Sequence, residues 1–468
     1  MLGIGAIIGT GIFVLTGEAA AGTEHALGAG PALTISFVIT GLACLFAALC
    51  YAEFASMIPV SGSAYTYSYS SFGEIFAWII GWDLVLEYAV GNVAVAIGWS
   101  GYFKNLLDGF GLHLPGYLSA ATGTTMVQLP SGIWTPLTPA VETTYAQVLG
   151  TLPTETALLN LPALLITLAI SGLLYVGIQE SARVNAVLVI LKLVLVSLFL
   201  YYGLPHFAPA THWEPFAPNG WKGIMSGAAL VFFAYVGFDA VSTTSEEAKR
   251  PQRDLPIAMI GALVVCTLLY IAVAAVLTGM APLSVLANEK PVAEALISVG
   301  ETNIALLIAI GVTLTMPTVL LVMQLGQIRI IYTMSRDGLL SDKLSRVNAR
   351  FATPTFATVV VGLFVAVLAA TVDISVAAEL TNIGTLFAFV LVAIGIWILR
   401  VRRPDAPRKF RTPAYQLVCS LCVIICLGLM LSLPWVTWVR FLAWMGLGVV
   451  VYFLYGVRHS NLKRPEIL

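Results

Sequence analysis

The chain has 468 residues, of which 59% are hydrophobic and only 10% charged, and its net charge is −1. Soluble domains carry about 25% charged residues, so with a mean hydropathy of +0.92 the composition excludes an ordinary soluble enzyme and points to a chain embedded in lipid. Apolar runs of about 20 residues, long enough to cross a bilayer, recur throughout. They lie near 1–21, 31–57, 73–104, 157–176, 185–205, 224–248, 257–279, 303–336, 355–371, 379–400, 414–434 and 437–457, which predicts twelve spans.

The first span is interrupted by Gly5-Ala6-Ile7-Ile8-Gly9-Thr10-Gly11-Ile12-Phe13. Each glycine weakens a helix by about 1 kcal/mol relative to alanine. A break within hydrocarbon strands backbone groups unless they face a cavity or a ligand. A small zwitterion supplies the missing partners: its carboxylate accepts from the freed N–H groups and its ammonium donates to the freed carbonyls, as in discontinuous transporter helices. The same glycines also suit a plain helix-packing face. The span lacks the basic leader and cleavage site of a secretory signal. Its abrupt apolar start leads us to expect a preceding cytoplasmic stretch.

The third span carries Asp83 and Glu87, four apart and so on one helix face. The segment 105–156, rich in Gly, Pro and Thr, reads as an external loop with room for short helices. Lys192 lies in the fifth span between Leu191 and Leu193, with no other charge within seven positions. An ammonium at that depth is costly and usually functional, which makes Lys192 a candidate proton carrier. Snorkelling along its own helix is the ordinary alternative.

The sixth span is weak in the same manner as the first. Tyr235-Val236-Gly237-Phe238-Asp239-Ala240 sets a glycine beside a carboxylate, and the polar run Ser242-Thr243-Thr244-Ser245-Glu246-Glu247 follows. Two broken helices five spans apart predict an inverted five-plus-five repeat. Residues 1–205 form the first repeat, 206–411 the second, and 412–468 the last two spans with a cytoplasmic C-terminus. Segment 281–300 is expected to form an external helix, and 329–354 a basic internal loop.

Charge fixes the orientation. With the first residue inside, Arg183, Lys249, Arg250, Arg253, Arg329, Arg336, Lys343, Arg346, Arg350, Arg400, Arg402, Arg403, Arg408, Lys409, Arg411, Arg458, Lys463 and Arg464 face the cytoplasm. Only Lys104, Lys222, Lys290 and Arg440 fall outside. This bias places both termini in the cytoplasm and favours an even number of crossings. Such juxtamembrane charges have no basic domain behind them, so no nucleic-acid partner is expected. The six cysteines all lie in apolar spans and read as packing residues. Neither they nor the histidines imply a metal site, and no cofactor, nucleophile elbow or phosphate-binding loop is present.

Four stretches together resemble the amino acid–polyamine–organocation permeases, in the clade of bacterial homologues of cationic amino acid transporters. They are the broken helix at 3–13 with Thr16-Gly17, and Tyr51-Ala52-Glu53-Phe54-Ala55 through Pro59, Ser61-Gly62-Ser63-Ala64-Tyr65 and Phe72-Gly73-Glu74. The others are Tyr235 to Asp239 through Glu246-Glu247-Ala248, Pro251, Arg253, Leu255 and Pro256, and then Tyr332 with Met334-Ser335-Arg336-Asp337-Gly338-Leu339-Leu340. Where the family usually has two glycines, this chain has Ser61, Gly62 and Ser63.

The resemblance implies an all-alpha membrane protein with the leucine-transporter-like inverted repeat and discontinuous helices 1 and 6. It implies that Gly9, Thr10 and Gly11 offer N–H groups to a substrate carboxylate. The carbonyls around Ile7, Ile8, Ala234 and Val236 would accept from its ammonium. Phe233 would be the aromatic gate, and Met323 would lie near the side-chain subsite. Lys192 would occupy the place where sodium-coupled relatives bind an ion between spans one and eight, with the proton as coupling ion here. Glu87 and Asp239 are further candidates for the proton path, and Glu246 and Glu247 for a cytoplasmic gate or for helix-end partners of Arg183, Arg250 or Arg253. The expected activity is proton-coupled transport of small neutral L-amino acids such as alanine across the plasma membrane. The alternatives are transport of arginine, lysine or a polyamine, and a substrate-binding receptor or scaffold. Lipid is the expected surroundings, and a small membrane-protein partner is compatible with the sequence.

Overall fold

The computed structural model describes residues 2–23, 26–57, 65, 69, 73–138, 141–142, 145–177, 182–239, 250–288 and 290–461. The first span comprises α1 (Leu2–Ile7), a π-helical turn (Gly11–Leu15) and α2 (Thr16–Ala21). Then come α3 (Leu33–Met57), α4 (Glu74–Gly109), α5 (Leu161–Val176) and α6 (Ala182–Gly203). The second broken helix comprises α7 (Gly220–Val231) and a 3-10 turn (Phe232–Tyr235). It is followed by α8 (Pro251–Met280), the short α9 (Leu283–Leu286) and α10 (Pro291–Ser298), and α11 (Thr302–Arg336). The chain closes with α12 (Thr355–Thr371), α13 (Ile374–Arg402), α14 (Tyr415–Leu431) and α15 (Trp435–Val451).

Among the described residues, seven helices are long and apolar enough to cross a membrane, and four more apolar helices are shorter. The fold is therefore helical and multi-span, as composition predicts. Local rules set several boundaries. Asn160 caps α5 by accepting from the Ala163 N–H at 3.2 Å, and Gly177 ends the helix at φ +79°. Pro251 stands in the first turn of α8, where its missing N–H is harmless.

The core lies where α4 and α11 pack together, with α13 against α4 and α8 against α3. Small side chains let these helices approach. Gly326 leaves room for the Tyr88 ring, and Gly98 for the Thr10 side chain. All six cysteines are buried and free.

The segment after α4 has short 3-10 turns at Gly116–Leu118 and Leu149–Thr151, within the expected loop, and adds strands that were not expected. It forms a three-stranded antiparallel sheet in the order β2-β1-β3, from β1 (Thr125–Gln128), β2 (Trp134–Pro136) and β3 (Thr154–Thr156). Threonine, valine and tryptophan favour strands, and Met126 packs with Ala120, Ala157 and Trp134 in a small separate core. Segment 281–300 forms α9 and α10. At the basic face, Glu53 is fully buried at the end of α3. It forms ion pairs with Arg400 at 2.7 Å and Arg408 at 3.0 Å, and its Oε2 accepts from Arg400 Nη2 at 2.9 Å and from the Thr412 N–H at 2.9 Å. That cluster pins the loop after α13 onto α3.

Candidate functional site between the broken helices

The first helix is broken where its glycines predict. The Ile8 N–H still donates to the Ile4 carbonyl at 2.9 Å, and the ladder resumes where the Phe13 N–H reaches the Gly9 carbonyl at 3.3 Å. The N–H groups of Gly9, Thr10 and Gly11 fall in the gap. In the second helix the 3-10 turn ends at Tyr235, Val236 turns to ψ 135°, and Gly237 takes φ +107°. That φ suits glycine, which lacks the Cβ that would clash.

The two breaks meet backbone to backbone. A methyl group on Gly11 would lie 2.2 Å from the Ala234 Cα, and one on Gly237 would lie 3.1 Å from the Ala6 carbonyl oxygen. Gly11 therefore has a packing role as well as an N–H in the gap. Tyr270 of α8 ties the breaks together. Its hydroxyl is shared between the Ile7 carbonyl at 2.9 Å and the Ala234 carbonyl at 3.0 Å. Asn382 of α13 donates to the carbonyls of Ala229 at 2.8 Å and Leu230 at 3.2 Å, just ahead of the second break. Tyr102 of α4 donates to the Phe13 carbonyl at 2.8 Å.

Around this junction stand the side chains singled out in the sequence. Phe233 is buried on the 3-10 turn, with 4% of its surface exposed, so it does not face lipid. Met323 is buried in α11 one turn after Val319. A methyl group on Gly9 would meet Val319 at 3.3 Å, and one on Gly91 of α4 would meet the Met323 sulfur at 3.2 Å. Met323 thus sits where α11 faces α4, one turn along from the residue that faces the first break. Ile7, Ile8, Thr10, Ala234 and Val236 are buried in the same junction.

Lys192 is also buried and reaches a different element. Its ammonium donates to the Gly5 carbonyl of α1 at 2.8 Å, just ahead of the first break. Two of the acidic candidates lie on α4 and a third follows the second break. Asp83, Glu87 and Asp239 are all buried, and Glu87 interacts electrostatically with both of the others. Tyr88 donates to an Asp239 carboxylate oxygen at 3.3 Å. Asp83 points at α13, where a methyl group on Gly384 would meet its Oδ1 at 2.9 Å. Glu246, Glu247 and Ser61 to Ser63 lie outside the described residues.

Sequence reasoning missed Tyr270 and Asn382. The signal available for each was a hydrogen-bonding side chain within an apolar span, such as Tyr270 between Leu269 and Ile271. Many core tyrosines and threonines share that signal. Among the described residues no group of three or more His, Cys, Asp or Glu side chains is arranged to hold a metal.

Known proteins extend this geometry. The family model described as amino acid permease matches residues 1–460. The branched-chain amino acid permease BcaP of Bacillus subtilis (strain 168) is 48% identical over 465 residues, 99% of this chain and 93% of that protein. The methylthioribose transporter of the same organism is 44% identical over 464 residues, again 99% and 93%. The chloroplastic cationic amino acid transporter 9 of Arabidopsis thaliana is 37% identical over 432 residues, 92% of this chain and 70% of that protein. The motif resemblance thus holds at the level of the family. The narrower placement among cationic transporters does not stand out, because both Bacillus proteins are more similar and carry other substrates in their names. The chain belongs to the amino acid permease family, within the amino acid–polyamine–organocation superfamily, and is a membrane transporter, not an enzyme.

Proposed function

We propose that this permease imports neutral L-amino acids together with protons by alternating access. The reading includes twelve spans in an inverted five-plus-five repeat, both termini in the cytoplasm, and the plasma membrane as location. The observation that carries the coupling is the Lys192 ammonium bonded to the Gly5 carbonyl at 2.8 Å, beside the first break. A proton leaving that ammonium weakens a contact to the helix that binds substrate, which links protonation to the helix's position. Glu87 and Asp239, within electrostatic reach of each other, extend the proton path.

The substrate carboxylate accepts from the N–H groups of Gly9, Thr10 and Gly11. Its ammonium donates to carbonyls among Ile7, Ile8, Ala234 and Val236, and shares Ile7 and Ala234 with Tyr270, since each carbonyl oxygen has two lone pairs. Phe233 closes over the bound molecule, and Met323 limits the side chain. The branched-chain permease among the relatives supports a neutral, apolar cargo. A cationic cargo is the second reading, supported by the plant relative and by Asp239 six residues after Phe233.

The test is uptake into proteoliposomes across a panel of alanine, serine, leucine, isoleucine, arginine and lysine, with and without an inward proton gradient. Neutral substrates should accumulate, and the gradient should accelerate their uptake. Lys192→Ala should abolish that acceleration while leaving exchange. Wild-type gradient dependence in this variant, at equal protein density, rules out the coupling role. Preference for arginine over alanine and leucine in the parent replaces the neutral reading with the cationic one. Met323→Ser should gain modest arginine binding, because space alone does not neutralise a guanidinium.

A further inference from the structure

A cavity lies apart from the described residues of the broken helices, at the basic end of α8. It has a volume of about 690 Å³ and opens between the first three turns of α8 and the loop after α13. Its lining is graded. Arg253 from α8 and Lys409 from the loop are both exposed. Further along α8 come Ile257, Ile260 and Gly261, with Phe410 across the gap. Arg253 and Gly261 are eight residues apart, which places the apolar end about 12 Å along the helix axis from the charged one. A methyl group on Gly261 would meet nothing within 4 Å, so the groove is open there.

We propose that this groove binds an anionic phospholipid, with the phosphate between Arg253 and Lys409 and an acyl chain along Ile257, Ile260 and Gly261. Three observations support the assignment. First, the charge is complementary. Among the described residues no acidic side chain lines the groove: Asp254, next to Arg253, and Asp405, four residues before Lys409, both lie outside it. Second, the cavity begins at the N-terminus of a 30-residue helix that has no side-chain cap among the described residues, and such a terminus adds positive potential for an anion. Third, the loop that supplies Lys409 and Phe410 is anchored, because its Arg408 is committed to buried Glu53. Lys409 is therefore carried by a held segment. Basic pockets between helices near a membrane surface favour lipid headgroups for these reasons, and the apolar stretch adds what a free phosphate could not use.

The experiment is native mass spectrometry of the full chain in detergent, titrated with phosphatidylglycerol or phosphatidylcholine. The parent should retain phosphatidylglycerol in preference to phosphatidylcholine. The double variant Arg253→Gln, Lys409→Gln should lose affinity for phosphatidylglycerol on the order of tenfold. Gly261→Phe should weaken retention with the charge intact, and the pair Arg253→Lys, Lys409→Arg should restore it. Arg346→Gln, an exposed cation elsewhere in the chain, should leave it unchanged. The proposal fails if the double variant binds phosphatidylglycerol within twofold of the parent, or if Arg346→Gln weakens it equally. It also fails if inorganic phosphate displaces the lipid, since the apolar stretch then contributes nothing. The site does not depend on the proposed substrate or on proton coupling.

Discussion

The two helix breaks use glycine for different reasons. In the first, Gly11 sits inside the π-helical turn, and its hydrogen side chain serves contact: Ala234 lies where a methyl group would be. In the second, Gly237 serves conformation as well, since its φ of +107° is one that side chains disfavour. One break is therefore set mainly by its neighbour and the other partly by its own backbone. A helix interruption read from composition alone hides this distinction.

The largest expected effect is at the contact. Gly11→Ala would drive a methyl group into the Ala234 backbone, which cannot yield as a flexible side chain can. We expect a cost of about 3 kcal/mol, the upper part of the usual overpacking range, and loss of substrate binding in a membrane-inserted protein. Gly9→Ala meets only a Val319 methyl at 3.3 Å and should bind far better. Equal affinities in a binding titration of the two variants would refute the division of roles.

Gly237→Ala should cost less, about 1–2 kcal/mol for a left-handed backbone with a Cβ. Gly237→Asn should recover part of the loss, because asparagine tolerates positive φ better than alanine. Thermal unfolding in detergent compares the two. If asparagine is no better than alanine, space near Ala6 dominates over backbone conformation.

Tyr270→Phe comes next. It removes the hydroxyl shared by the Ile7 and Ala234 carbonyls, at about 1 kcal/mol, a typical net value for one donor. The lost bridge should loosen the breaks relative to each other. Hydrogen exchange should therefore rise in both segments together. Faster exchange confined to one break would contradict the bridging role.

The smallest effect serves as a control away from both breaks. Asp337, just after α11, accepts from the Tyr65 hydroxyl at 2.7 Å. Burial raises its carboxyl above its ordinary value, although the Tyr65 bond and Arg336 pull it down. The folded state therefore holds this proton more tightly than the unfolded state. Its contribution to stability is present below the unfolded pKa and is lost as pH rises through the folded one. Asp337→Asn should flatten that part of the pH–stability curve and leave substrate affinity unchanged. An unaltered slope in thermal melts across the acid range would remove Asp337 from the account.

The sequence alone determined that the chain is built of long apolar helices, and the places where two of them fail. Hydropathy is a local property, and glycine or a lone lysine in an apolar run is visible without a partner. The long apolar helices over α8 and α11 and the gap at Gly9 to Gly11 follow from that local chemistry. The strands at 125–156 did not, because short threonine-rich runs among prolines and glycines read equally well as loop.

Only tertiary structure decided what fills each gap. Tyr270 reaches a carbonyl 263 positions away, and Lys192 one that is 187 positions away. Gly11 owes its need for a bare Cα to Ala234 in another broken helix. The groove between Arg253 and Lys409 joins two segments that carry no shared motif. Composition and periodicity register what a residue is and how often its kind recurs. They carry no record of which distant backbone it meets, and at this junction those meetings set both the packing and the placement of the polar groups.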